Sequence, residues 1–173
     1  MTRITGIRWR QADPITYADA ADLDQAENLG RISRGCLGWA VDALENPEIL
    51  EERENQLARL SEVCRAGLSD RFSYANDLAS TFSRDRESAR QVLYLWLRWW
   101  RDLLLIKEGA DEYLHHTDRT EELRLQATQL RTLQVVNFIK SLNQTLEALD
   151  RNASPRLALE LLMLNLPGVG IAT

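Results

Sequence analysis

A chain of 173 residues has room for one or two small domains with a buried core, and its hydrophobic and charged fractions, 45% and 27%, are those of an ordinary globular protein. Its net charge of −5 argues against gripping a phosphate backbone as a primary role, because duplex binding is driven by clustered cationic side chains. The local exception is the run of Arg84, Arg86, Arg90, Arg98 and Arg101.

Only eight Gly and four Pro are spread along the chain, and Pro14, Pro47 and Pro155 sit where a helix can begin, so the expectation is an all-α protein. Residues 1–13 read as irregular. Helices are expected over 14–32 and 37–44, the second stopping at Asn46-Pro47, where Asn can cap the next helix and Pro can take its first position. Glu48, Glu51 and Glu52 then load a first turn with negative charge, and Leu50, Leu57, Leu60 and Cys64 form a stripe that ends near Gly67. Ser69 reads as the cap of a helix bearing Phe72, Ala75, Leu78, Ala79 and Phe82.

The longest helix is expected over 85–108. Its stripe is Ala89, Val92, Leu93, Trp96, Trp100, Leu103 and Leu104, but Leu95, Leu97, Trp99, Leu105 and Ile106 lie off that face. A helix apolar on more than one side is buried on more than one side. Gly109 ends it. After a loop over 111–117, a helix over 119–130 shows Leu123, Ala127 and Leu130. Thr132 reads as the cap of an amphipathic helix with Val135, Phe138, Ile139, Leu142, Leu146 and Leu149 on one face. Ser154-Pro155 opens a last helix over 156–166, before Pro167-Gly168. The implied division is 1–46, then a bundle over 47–168, then a tail over 169–173.

Motifs that carry chemistry are scarce. No glycine is followed by Lys, so there is no phosphate-cradling loop of the Gly-x4-Gly-Lys-Ser/Thr type. Gly35-Cys36-Leu37-Gly38 leads from helix to helix without a preceding strand and reads as a turn. Cys36 and Cys64 stand far apart with no histidine nearby, too few ligands for zinc, and read as small buried side chains of a cytosolic protein. His115-His116-Thr117-Asp118 is the one place where His and carboxylate meet. A metal-dependent helical hydrolase would use His115, His116 and Asp118, yet both histidines are spent in one loop and no second cluster completes the site, so loop residues are expected. Glu51-Glu52 and Glu121-Glu122 fall in first turns, where the helix dipole accounts for them. The tryptophans read as core. Catalytic residues, cofactors and metals are not expected. Residues 1–15 carry Arg3, Arg8, Arg10 and Asp13 in place of the apolar core of a signal peptide, and the Trp- and Leu-rich run up to Ile106 is broken by Arg98, Arg101 and Asp102, so a cytoplasmic protein without membrane partners is expected.

The last helix stands apart. From Leu157 to Leu166 only Glu160 and Asn165 are polar. It is either a central core helix or one shared between its own core and a partner, and periodicity alone leaves both open.

Three stretches together resemble bacterial sliding-clamp loader subunits. Arg151-Asn152-Ala153-Ser154-Pro155-Arg156-Leu157-Ala158-Leu159-Glu160 with Leu161-Leu162 is similar to the final helix of clamp-loader collar domains, typically Asn-x-Asn-Pro-Arg-Leu-Ala-Leu-Glu-x-Leu-Leu. Leu97-Arg98-Trp99-Trp100-Arg101-Asp102-Leu103-Leu104-Leu105 resembles the long collar helix of the DNA polymerase III delta-prime subunit family. The segment from Leu29-Gly30-Arg31 to Gly38-Trp39-Ala40 resembles the end of the helical lid domain of the same superfamily.

The resemblance implies a lid remnant followed by a collar-type helical bundle, a non-catalytic assembly module in DNA replication. Its partners would be the gamma/tau and delta subunits through the collar, with DNA and the sliding clamp reached only through the complete complex. Hydrolysing relatives carry an arginine after their second-sensor glycine motif. Here Gly35-Cys36-Leu37 is followed by Gly38, which fits a delta-prime-like subunit and counts against gamma/tau, the nearest alternative. A helical adaptor unrelated to replication is the competing class. If the last helix meets a neighbouring subunit, Leu159, Leu162, Met163 and Leu166 are expected to form the uncovered interface patch, with Leu157, Leu161 and Leu164 packed inside.

Overall fold

The computed structural model describes residues 47–168, so the expected helices over 14–32 and 37–44, the turn at Gly35 and Gly38, Cys36 and the tail over 169–173 lie outside the described residues. The described residues are all-helical: α1 (Pro47–Arg65), α2 (Leu68–Arg84), α3 (Arg86–Lys107), α4 (Thr120–Gln129), α5 (Thr132–Asp150) and α6 (Pro155–Asn165). Two single-turn 3-10 helices, Asp111–Tyr113 and Thr117–Arg119, carry the chain from α3 to α4. No strand occurs among them, and none of these helices is long and apolar enough to cross a membrane.

Local chemistry fixes most of the boundaries. Asp85 caps α3, its carboxylate accepting the Ser88 N–H at 3.0 Å. The same helix ends in a Schellman turn: Gly109 has φ +71°, its N–H reaches Ile106 O at 3.1 Å, and the Ala110 N–H reaches Leu105 O at 2.9 Å. Asn152, at φ +59°, ends α5 with the same pair of bonds, to Leu149 O at 3.1 Å and from Ala153 to Ala148 O at 2.9 Å. Lys107 brings a cation from the end of α3 onto the last carbonyls of α4, donating to Ala127 O at 2.9 Å and Leu130 O at 2.6 Å.

Two caps fall elsewhere than the sequence suggests. Leu68 is already helical, so Gly67 is the N-cap of α2 and Ser69 lies within its first turn. Thr132 is likewise the first residue of α5; its N-cap is Arg131, whose backbone N–H donates to the Gln134 side chain at 2.9 Å. In both cases a residue able to cap stands one or two positions inside the point where the backbone leaves its extended conformation.

Packing centres on α3. Trp96 and Trp100 are fully buried, and Phe138 of α5 lies between them, its ring centroid 4.5 Å from that of Trp100 and 6.4 Å from that of Trp96. Tyr74 of α2 stacks on the other side of Trp96 at 5.6 Å. Leu95 and Trp99, which stand off the main stripe, are buried as well, because α4 and α1 cover what α2 and α5 leave open. Of the expected apolar face of α5, Val135, Phe138, Leu142, Leu146 and Leu149 are buried and Ile139 is partly buried against the core.

α6 closes the bundle across α2 and α5. Its end is tied to both α1 and α2 by Arg71, whose guanidinium donates to Cys64 O at 3.0 Å, Ala66 O at 3.1 Å and Leu166 O at 2.6 Å. One buried cation thus meets carbonyls at the C-terminal ends of two helices, where the helix dipoles favour positive charge. The two faces of α6 are the reverse of the expectation. Leu159, Leu162 and Met163 are fully buried and Leu166 is 3% exposed, whereas Leu157, Leu161 and Leu164 are 66%, 60% and 57% exposed. The polar residues account for the rotation: Arg156, Glu160 and Asn165 flank the Leu157, Leu161 and Leu164 side, and turning that side inward would carry them toward the core.

Removing the ring that separates the two tryptophans tests this account. Phe138→Ala should lower unfolding free energy by about 3–5 kcal/mol, the usual cost of deleting a fully buried phenyl group, measured by urea denaturation followed at the tryptophan emission.

Candidate functional site

Two places on the bundle depart from ordinary core-and-surface chemistry. The first is the outer face of α6. Leu157, Leu161 and Leu164 recur at i, i+4 and i+7, so they stand one above another along one face. Arg156, Glu160 and Asn165 bracket the same arc, and Arg156 Nε donates to Glu160 Oε1 at 2.9 Å along its edge. The result is a leucine seam with a polar border, the pattern of a helix surface that packs against another helix. That border was the signal in the sequence that marks the outward side.

The second place is a buried polar centre on α3. Asp102 has no exposed surface, and its Oδ2 accepts the N–H of His115 at 2.8 Å and the N–H of His116 at 2.8 Å. The ring Nδ1 of His116 lies 3.0 Å from the same oxygen and donates to it while the carboxyl is ionised. Arg101 Nη1 approaches the other oxygen at 3.3 Å. The His116 ring, 1% exposed, meets Trp99 edge-on at 5.4 Å, and Trp99 Nε1 in turn donates to Gln126 of α4 at 2.8 Å.

Burial alone would raise the Asp102 carboxyl. The hydrogen bonds from the His116 ring and amide, with that from the His115 amide, outweigh burial and hold it below its ordinary value of 3.8. This centre does not assemble the triad His115, His116 and Asp118. His116 turns inward to Asp102, whereas Asp118 forms a two-pronged ion pair with Arg53 at 2.9 and 3.0 Å. Among the described residues no group of three or more His, Cys, Asp or Glu side chains is placed to hold a metal ion. His116 is therefore no surface loop residue but the plug that fixes the α3–α4 connection to the core.

Sequence reasoning passed over Asp102, taking it only as a break in an apolar run. The signal was present: a carboxylate in a helix apolar all round must be buried, and a buried carboxylate needs donors. Which donors meet it is not legible, since Lys107 and Tyr113 come before His115 and His116 along the chain.

Other side chains offer less chemistry. Cys64 is a free thiol, pushed up to about 12 by burial, and stays protonated and inert at neutral pH. The Arg84, Arg86, Arg90, Arg98 and Arg101 run is dispersed: Arg86 donates to Asn152 Oδ1 at 2.9 Å, Arg90 pairs with Asp150, and Arg101 turns to Asp102. Arg98 is half-buried, its Nε without a hydrogen-bond partner, and burial together with the charge of Arg53 lowers its pKa. Comparison of the chain with protein-family profiles, curated protein sequences and solved structures finds no match.

A carboxyl whose folded pKa lies below its unfolded value stabilises the protein above the unfolded value, and that contribution is lost as pH falls through the folded one. Asp102→Asn should therefore cost about 1.5–3 kcal/mol at neutral pH, the usual worth of hydrogen bonds to a charged group. It should also flatten the fall in stability below the ordinary carboxyl value. Urea unfolding at a series of acid pH values reads both effects, and an unchanged slope would mean that Asp102 is not the group responsible.

Proposed function

We propose that this chain is a non-catalytic assembly module, in which the outer face of α6 packs against a helix of a neighbouring subunit. The single observation that carries this reading is the seam of Leu157, Leu161 and Leu164, each more than half exposed and aligned on one helix face. Burying such side chains is worth about 1.5–3 kcal/mol each, so leaving them in water on an ordered helix is a standing incentive to bind. Leu159, Leu162, Met163 and Leu166 serve the chain's own core, and the packing role passes to the opposite face.

The finer proposal is that the neighbours are clamp-loader subunits of DNA polymerase III. Its support is the resemblance of the stretch from Arg151 to Leu162 to a final collar helix, of Leu97 to Leu105 to the long collar helix, and of Leu29 to Ala40 to the end of a lid domain. An all-α bundle closed by its last helix is the architecture that such a role needs. In this reading the chain positions one arc of the loader ring, the gamma/tau and delta subunits supply nucleotide hydrolysis and clamp opening, and DNA is reached through the assembled complex.

Leu161→Asp in the full chain tests both levels. The residue is exposed, so thermal unfolding should move little. Association with purified gamma/tau and delta subunits, followed by size exclusion and light scattering, should weaken by roughly 10- to 1000-fold, the range for loss of an interface anchor. Unchanged assembly by the variant rules out α6 as the packing face. Failure of the unaltered chain to join those subunits rules out the clamp-loader reading.

A further inference from the structure

α1 is held differently along its two halves. From Leu57 onward it is part of the core: Leu57, Leu60, Val63 and Cys64 are buried, and Ser61 Oγ donates to Glu122 Oε1 of α4 at 2.6 Å. Before Leu57 no residue over 48–56 belongs to the core, and Ile49 and Leu50, though partly buried, are not among the apolar side chains packed against it. Among the described residues, the hydrogen bonds that join this half to the rest of the bundle are ion pairs. Arg53 pairs with Asp118 at 2.9 and 3.0 Å, and Glu54 pairs with Arg119 and with Arg53 itself at 2.9 Å. Asp118 and Arg119 belong to the connection over 111–119, which Asp102 pins to α3 through His115 and His116.

We propose that residues 47–56 of α1 form an arm, clasped to the 111–119 connection chiefly by the Arg53–Asp118 and Glu54–Arg119 ion pairs, which opens and closes while the rest of the bundle stays folded. Arg98, partly buried and without a partner for its Nε, brings a charge that repels Arg53 and is itself partly offset by Asp102. The device requires no bound partner and stands apart from the role of the α6 face.

Coulombic clasps are screened by salt, whereas buried apolar contacts are not: the screening length falls from about 30 Å at 0.01 M to about 3 Å at 1 M. Residue-resolved amide exchange on the full chain, compared between those two salt concentrations, should show residues 51–56 and 115–119 exchanging roughly two- to five-fold faster in high salt, in keeping with the small worth of partly exposed ion pairs. Amides in the middle of α3, α5 and α6 should not respond. Asp118→Asn should give part of that acceleration in low salt and reduce the salt response, the Glu54–Arg119 pair remaining. Asp102→Asn, which touches no residue of α1, should loosen 111–119 and, through it, residues 51–56. If residues 51–56 keep their rate in high salt, or respond only together with α3 and α5, the clasp is refuted. The same holds if Asp118→Asn leaves the salt response intact.

Discussion

A helix that is apolar all round persists in water only when other helices enclose it, and α3 imposes that condition on everything else in the bundle. Trp96 and Trp100 share one face and Trp99 stands on another, so no single neighbour covers all three. α2 and α5 take the two broad sides, with Tyr74 and Phe138 supplying rings against Trp96 and Trp100. α4 is short, yet it covers Trp99 and offers Gln126 to the indole N–H. The other helices are arranged around these demands. α6 does not touch the same rings so much as seal the gap between α2 and α5, which leaves its outer side free.

The same enclosure explains how charges are treated inside. Asp102 and Arg71 are both buried, and each is satisfied largely by main-chain groups: Asp102 by two amides and one ring, Arg71 by three carbonyls. Amides and carbonyls at helix ends and in turns need partners in any case, so a buried ion that serves them settles two debts of desolvation together. In consequence these two residues act as fasteners: Asp102 holds the α3–α4 connection, and Arg71 joins the ends of α1 and α6 to the start of α2.

How far the sequence discloses this depends on how uneven its pattern is. α5 reads correctly because Val135, Phe138, Leu142, Leu146 and Leu149 face a side of Asn137, Lys140, Gln144 and Glu147. α3 reads correctly as buried on several sides because its apolar residues overflow one stripe. α6 fails at the same test: with leucines on both sides, the contrast that sets rotation is carried by Arg156, Glu160 and Asn165 alone, and the two faces were exchanged. His116 lies in the connection, as a loop residue should, but its burial escapes the sequence. Its environment is set by Asp102, a residue 14 positions away on another element, and no local spacing announces such a meeting. Capping residues mislead by one or two positions, at Ser69 and Thr132, because several side chains in a row can cap and only backbone geometry selects one.

The Arg71 fastener also bears on the order in which the chain can be completed. Its carbonyl partner on Leu166 lies 95 positions further along, so α2 emerges during synthesis long before the helix that covers it. Contacts of such separation are costly to close and form late. Until α6 arrives, the side of α2 that it will occupy is open, and a growing or truncated chain ending before Pro155 presents that apolar side to whatever is nearby. The last eleven-residue helix is thus the keystone of biosynthesis as well as of architecture, and its loss is met first by the cell's chaperones and proteases rather than by any binding partner.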